Sequence, residues 1–122
     1  EESDFFSDDK EILQPEEINL INDVAQVRNI ATSIYKRELE RSKQWCELQC
    51  MTEDITKRLC YQYYSYSFIT SCREPAKRLA ECQEAKKKYM MEKGRNWRDK
   101  QVAKYEKIVS EKLHRQQHNF KE

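Results

Sequence analysis

Two pairs of cysteines set the tightest limit on what this chain can fold into. Cys50 and Cys60 enclose nine residues, Cys72 and Cys82 enclose nine more, and an eleven-residue connection (YQYYSYSFITS) lies between the pairs. On an α-helix ten positions rise about 15 Å over nearly three turns, so the two pairs mark equally long edges. Antiparallel helices would bring Cys60 to Cys72 beside the connection and Cys50 to Cys82 at the open end, with Cβ atoms facing as a disulfide requires. The alternative of Cys50 with Cys72 and Cys60 with Cys82 asks for parallel helices, which eleven residues do not easily join. Four cysteines allow three pairings, and spacing alone does not choose among them. Geometry favours the nested one.

Local signals point the same way. Ser71 and Glu74 have the spacing of a capping box, which predicts a second helix capped by Ser71, with Pro75 inside its first turn. Along that helix Cys72, Ala76, Leu79, Cys82 and Tyr89 gather on one face, and Lys77, Arg78, Glu81 and Glu84 on the other. On the first helix Trp45, Leu48, Ile55 and Leu59 form a stripe set to one side of the cysteines. Gly94, the only glycine, reads as a helix C-terminal cap or a kink.

Composition agrees with helices and argues against strands. The 122 residues are 38% hydrophobic and 37% charged, against about 45–50% apolar and about 25% charged in ordinary domains. One Gly and two Pro leave little to punctuate a sandwich or barrel. No apolar run approaches the roughly 18 residues of a membrane span. Such a chain needs staples or partners.

The flanks are charged and opposite. Residues 1–17 carry eight acids against Lys10 alone, a balance of −7, whereas residues 73–122 set fifteen bases against eight acids, a balance of +7. Residues 1–14 read as an acidic extended arm, with Phe5 and Phe6 as its large anchors, ordered only by a partner. Residues 15–45 read as an amphipathic helix opened by Pro15 and striped by Leu20, Val24, Val27, Ala31 and Ile34. Residues 46–93 form the hairpin. Residues 94–122 read as a basic C-terminal helix whose stripe of Val102, Tyr105, Val109 and Leu113 exceeds what the hairpin covers. The expected partner-binding residues are therefore Phe5, Phe6, Tyr105, Val109 and Leu113, with the arm on basic surfaces and the tail on acidic ones or anionic lipid.

Two Cys-x9-Cys helices in a hairpin resemble the coiled-coil-helix-coiled-coil-helix (CHCH) family of the mitochondrial intermembrane space. The resemblance covers Cys50 to Cys82. It implies import through an oxidative relay that needs no cleaved leader, and the long flanking helices are similar to those of accessory subunits of respiratory complexes. The stretch KRLCYQYYSYSFITSCREPAKRL also resembles the PDSW-type accessory subunits of complex I. The implied function is a non-catalytic structural subunit on the intermembrane-space side of a respiratory complex, complex I preferred, peripheral to the inner membrane or its anionic lipid. Two other roles are open to the same family: an assembly factor or redox carrier, and a subunit of cytochrome oxidase or a cristae-organising complex.

Other chemistry finds little support. Cys46, one turn before Cys50, stands outside the four-cysteine pattern and reads as a free thiol or one that bonds a neighbouring protein. Structural zinc usually needs two close ligand pairs, and only Cys46 and Cys50 have such spacing. The adjacent-cysteine arrangement of copper carriers in the CHCH family is missing. His114 and His118 stand four apart in a basic tail and read as a solvated helix end. No glycine-rich phosphate loop is present, and no histidine lies near a cysteine in sequence. No cofactor, metal, catalytic residue, small-molecule substrate or nucleic acid is expected. Tyr61, Tyr63, Tyr64, Tyr66 and Phe68 cover the hairpin tip or dock into a partner. Lys86, Lys87 and Lys88 read as a solvated face.

Overall fold

The computed structural model describes residues 4–120, and every regular element among them is a helix. The order is α1 (Pro15–Ile18), α2 (Val24–Arg41), α3 (Lys43–Gln49), α4 (Met51–Tyr63), α5 (Phe68–Ser71) and α6 (Arg73–Phe120). Helix α6 alone has 48 residues and is about 72 Å long. The earlier helices fold back along it as the opposing limb of one extended hairpin.

The two limbs keep a single antiparallel register. Cys60 faces Cys72 and Cys50 faces Cys82. Further on, Cys46 feels the charge of Lys86, the Arg98 guanidinium lies 5.4 Å from the Tyr35 ring centre, and Val27 shares a core with Tyr105 and Val109. Each step along one limb is matched by an equal step along the other.

The helix read over residues 15–45 is broken. After the single turn of α1 the chain leaves helical geometry until Asp23, which caps α2 by accepting from the Ala25 N–H at 3.0 Å. Gln26 Oε1 reciprocates, accepting from the Asn22 and Asp23 N–H groups. Lys112 secures the break by donating from Nζ to the carbonyls of Ile18, Asn19 and Ile21, each at 2.9 Å. A cation among the carbonyls at a helix C-terminus is favourable. The break turns Leu20 out to solvent and Ile21 into the core, so the buried face of α2 is Val27, Ala31, Tyr35 and Glu38.

The expectation of a partner-ordered arm is corrected by its own packing. Phe5, Phe6 and Leu13 are all buried within the chain. Phe6 and Phe5 join Tyr35, Met90 and Trp97 in one cluster, and Leu13 joins Ile21, Val27, Tyr105 and Val109 in another. Trp97 Nε1–H donates to the Ser7 carbonyl at 2.9 Å. Charge contributes less: the Asp8–Lys100 and Lys10–Glu38 pairs are 3.9 Å long with exposed lysines, and such pairs are worth about 1 kcal/mol or less. Phe6 adopts φ 57°, a left-handed geometry that costs a bulky residue about 1–2 kcal/mol. Burying its ring returns about 1.5–3 kcal/mol, and the ring wins.

The assignment of Phe5, Phe6, Tyr105, Val109 and Leu113 to partner binding is corrected with it. The first four are buried inside this chain, and Leu113 packs half-buried against the second cluster. The tail stripe has its cover in α2 and the arm. Residues 1–3 of the arm lie outside the described residues.

Gly94 neither caps nor kinks. It lies inside α6, where an added Cβ would stand 2.6 Å from both Phe6 Cζ and Tyr35 Cε2. Glycine inside a helix costs about 1 kcal/mol against alanine, but here the missing Cβ makes room for two rings. Gly94→Ala should therefore lower the thermal midpoint, with an overpacking loss of about 1–3 kcal/mol. Ser110→Ala on the exposed face of the same helix should be neutral or slightly stabilising by circular dichroism. Equal behaviour of the two variants would refute the close packing at Gly94.

Candidate functional site: the disulfide-stapled tip

Beyond Met90, towards the start of α6, the limbs no longer share a large apolar core. Leu79, Cys50 and Cys72 are the buried apolar residues of this half, and α4 contains no buried residue. Amphipathic helices normally turn their apolar stripe inward. Helix α4 does the reverse. Glu53, Asp54, Lys57, Cys60 and Tyr61 are half-buried on the cysteine side, while Leu48, Met51, Ile55, Leu59 and Tyr63 are exposed. Those five recur at spacings of three and four, one stripe facing solvent. One carboxylate oxygen of Glu53 is buried without a hydrogen-bond partner, which costs stability.

Covalent bonds hold what packing does not. Cys60–Cys72 and Cys50–Cys82 both form, each with Cα atoms 5.9 Å apart. They close sequence separations of 12 and 32 residues, worth about 3 and about 4 kcal/mol singly in the chain-entropy model. One loop nests inside the other, so the two contributions do not add in full. Cys50 and Cys72 are fully buried, which leaves each bridge with one shielded sulfur.

At the tip, the expected cap does not form. Ser71 lies inside α5 and donates its hydroxyl to Ser67 Oγ at 3.3 Å, while α6 starts at Arg73, one residue too late for Ser71 to cap it. Tyr61 and Phe68 pack at 4.9 Å between ring centres, and Tyr63 meets Tyr64 edge-on at 4.7 Å. Tyr66 and Ile69 point into solvent. Tyr89, read onto the inner face of the second helix, is exposed as well, and Met90 takes the buried place.

Cys46 is a free, half-buried thiol. It lines an open groove of about 540 Å³ with Leu39 and Met90 among its apolar walls and Lys36, Lys43 and Lys87 around it. Burial pushes its ionisation up, with Lys86 pulling in part the other way. A raised pKa keeps it in the thiol form, the less reactive one. Among the described residues no group of three or more His, Cys, Asp and Glu is placed to hold a metal ion. His114 is exposed on α6, and the side chain of His118 lies outside the described residues.

Comparison with protein-family models, curated proteins and solved structures gives no match to this chain. What stands is the arrangement itself: two disulfides of a twin Cys-x9-Cys pattern stapling helices in an all-α chain.

Two outcomes test the division of labour. Reduction of both bridges should abolish hydrogen-exchange protection across α4 and α5 while the amides of α2 and residues 94–113 stay protected, since the base has its own apolar core. Protection lost or kept everywhere at once would disprove separate supports. Iodoacetamide should modify Cys46 in the folded protein more slowly at pH 8 than in the unfolded chain. The rate should climb as pH rises beyond the ordinary thiol range, because only the thiolate attacks. Folded and unfolded rates that coincide would contradict a thiol suppressed by burial.

Proposed function

We propose that this chain is a non-catalytic structural subunit of a larger assembly, seated against a helix of a neighbouring subunit through the outward apolar stripe of α3 and α4. The reversed amphipathicity of α4 carries the reading. Leu48 is 55% exposed, Ile55 49% and Leu59 60%, in one row over about three helical turns on a limb held rigid by disulfides. A row at three-and-four spacing offers the ridges that another helix packs between. Scattered exposed apolar residues need no explanation, but a continuous stripe does.

The bridges and the resemblance support one compartment in this reading. Disulfides persist where thiols are not kept reduced, and the likeness to the CHCH family supports the mitochondrial intermembrane space. The likeness of the tip segment to PDSW-type subunits favours complex I as host, with the chain peripheral to the inner membrane. A redox carrier needs an accessible, easily reduced pair, and the shielded Cys50 and Cys72 favour a structural use instead.

The docking face thus moves from the charged ends to the hairpin. Ile55→Asp combined with Leu59→Asp alters two exposed positions and should leave both disulfides and the helical content intact. In mild-detergent extracts separated under native conditions, the variant should run as free chain while the parent runs with the assembly. Full comigration of the folded variant with the assembly would remove the stripe as its docking face.

A further inference from the structure

The end of the hairpin has a chemistry of its own. From Ile55 to Arg73 there are nineteen consecutive residues without an acid. Over residues 57–78 five bases (Lys57, Arg58, Arg73, Lys77 and Arg78) face Glu74 alone. Arg58 is engaged with Asp54 at 3.2 Å, and Lys57 lies 5.3 Å from the Tyr61 ring centre. Within this basic collar the turn presents large side chains to solvent: Tyr63 is 81% exposed, Ile69 74%, and Tyr66 wholly so.

We infer that the tip is a seat on an anionic bilayer surface, with Tyr63, Tyr66 and Ile69 entering the headgroup layer and the collar lying against lipid phosphates. Tyrosine suits that boundary because its ring is apolar and its hydroxyl is wet. Lysine and arginine close to the surface add attraction to anionic headgroups, and salt weakens it. The charge sign matches such a surface, and the tip is the terminus of a rod about 72 Å long, so it meets a plane without obstruction from the base. This contact does not rest on the subunit reading, which uses Leu48, Met51, Ile55 and Leu59 on the side of α3 and α4; Tyr63 alone stands where the two faces meet.

The test must separate the tip from the rest of a basic helix, so the deciding variant keeps every charge. The intact oxidised chain is sedimented with phosphatidylcholine vesicles, with and without phosphatidylglycerol. The parent should bind the anionic vesicles and bind the neutral ones at least about tenfold more weakly. Tyr63→Ser, Tyr66→Ser and Ile69→Ser together should weaken anionic binding by about tenfold or more, with helicity and both disulfides unchanged. Ile55→Ser with Leu59→Ser, which also keeps every charge, should still bind through the tip rings, which separates this contact from the assembly face. In a Tyr66→Trp chain, brominated acyl chains should quench the added emission. Undiminished binding by the triple serine variant, or no quenching, would overturn the bilayer seat. Vesicle binding kept by that variant while it falls out of the native assembly would assign the tip to a protein surface instead.

Discussion

One antiparallel register, carried from the Cys60–Cys72 bridge to the packing of Val27 against Tyr105 and Val109, is the constraint on which the rest depends. Equal cysteine spacing on the two limbs makes the two bridges compatible with each other and with no relative slip. The same register brings Tyr35, together with Phe6 from the arm, over the one residue of α6 that has no Cβ. A slip of one residue would turn α6 by about 100° and put Lys93 or Arg95 beneath those rings. The glycine therefore proofreads at the base what the disulfides set near the tip.

The two halves of the rod are stabilised by different physics. At the base, Phe5, Phe6, Leu13, Val27, Tyr35, Trp97, Tyr105 and Val109 are buried, and each large side chain contributes about 1.5–3 kcal/mol on transfer from water. At the tip, α4 has no fully buried residue and places a carboxylate oxygen of Glu53 without a partner. Two loop closures of a few kcal/mol each replace an apolar interface there. Covalent stapling is what allows a helix to hold its polar side inward.

The cysteine pairing and the all-helical class were legible because they rest on exact spacing and on a shortage of turn residues. The arm was misread because composition averages over position. The acids from Asp4 to Glu17 all lie on its exposed side, while Phe5, Phe6 and Leu13 decide its fate. Gly94 was misread because a lone glycine on a helical stretch is most often a terminator, and only the tertiary approach of two rings reveals its use. The start of α2 was legible and missed: Asp23 and Gln26 stand three apart, the spacing of the reciprocal cap that forms. Met51 extends the stripe of Leu48, Ile55 and Leu59 at a spacing that the residue numbers already carry. That this stripe faces away from α6 was partly legible, since at about 100° per residue it lies roughly opposite Cys50 and Cys60, the pair expected to face the second helix.

Reversed amphipathicity and stapling together explain why an exposed apolar face is tolerable on this chain. An apolar stripe on a mobile helix would collapse inward or pair indiscriminately, because burial is favourable wherever it occurs. With Cys50 and Cys60 tied to α6, rotation of α4 about its axis would require breaking two covalent bonds. The stripe can only be covered from outside. A surface already fixed in shape loses little conformational freedom when covered, so more of the contact free energy remains as affinity. Rigidity acts on the rod as a whole as well. Because α6 runs unbroken from the base core to the tip, a contact made by Leu59 or Tyr66 is referred to the same frame as Trp97 and Tyr105. Two surfaces meeting this chain at different points would thereby be held at a fixed separation and angle. That is work for which a long stapled hairpin is suited and a compact globule is not.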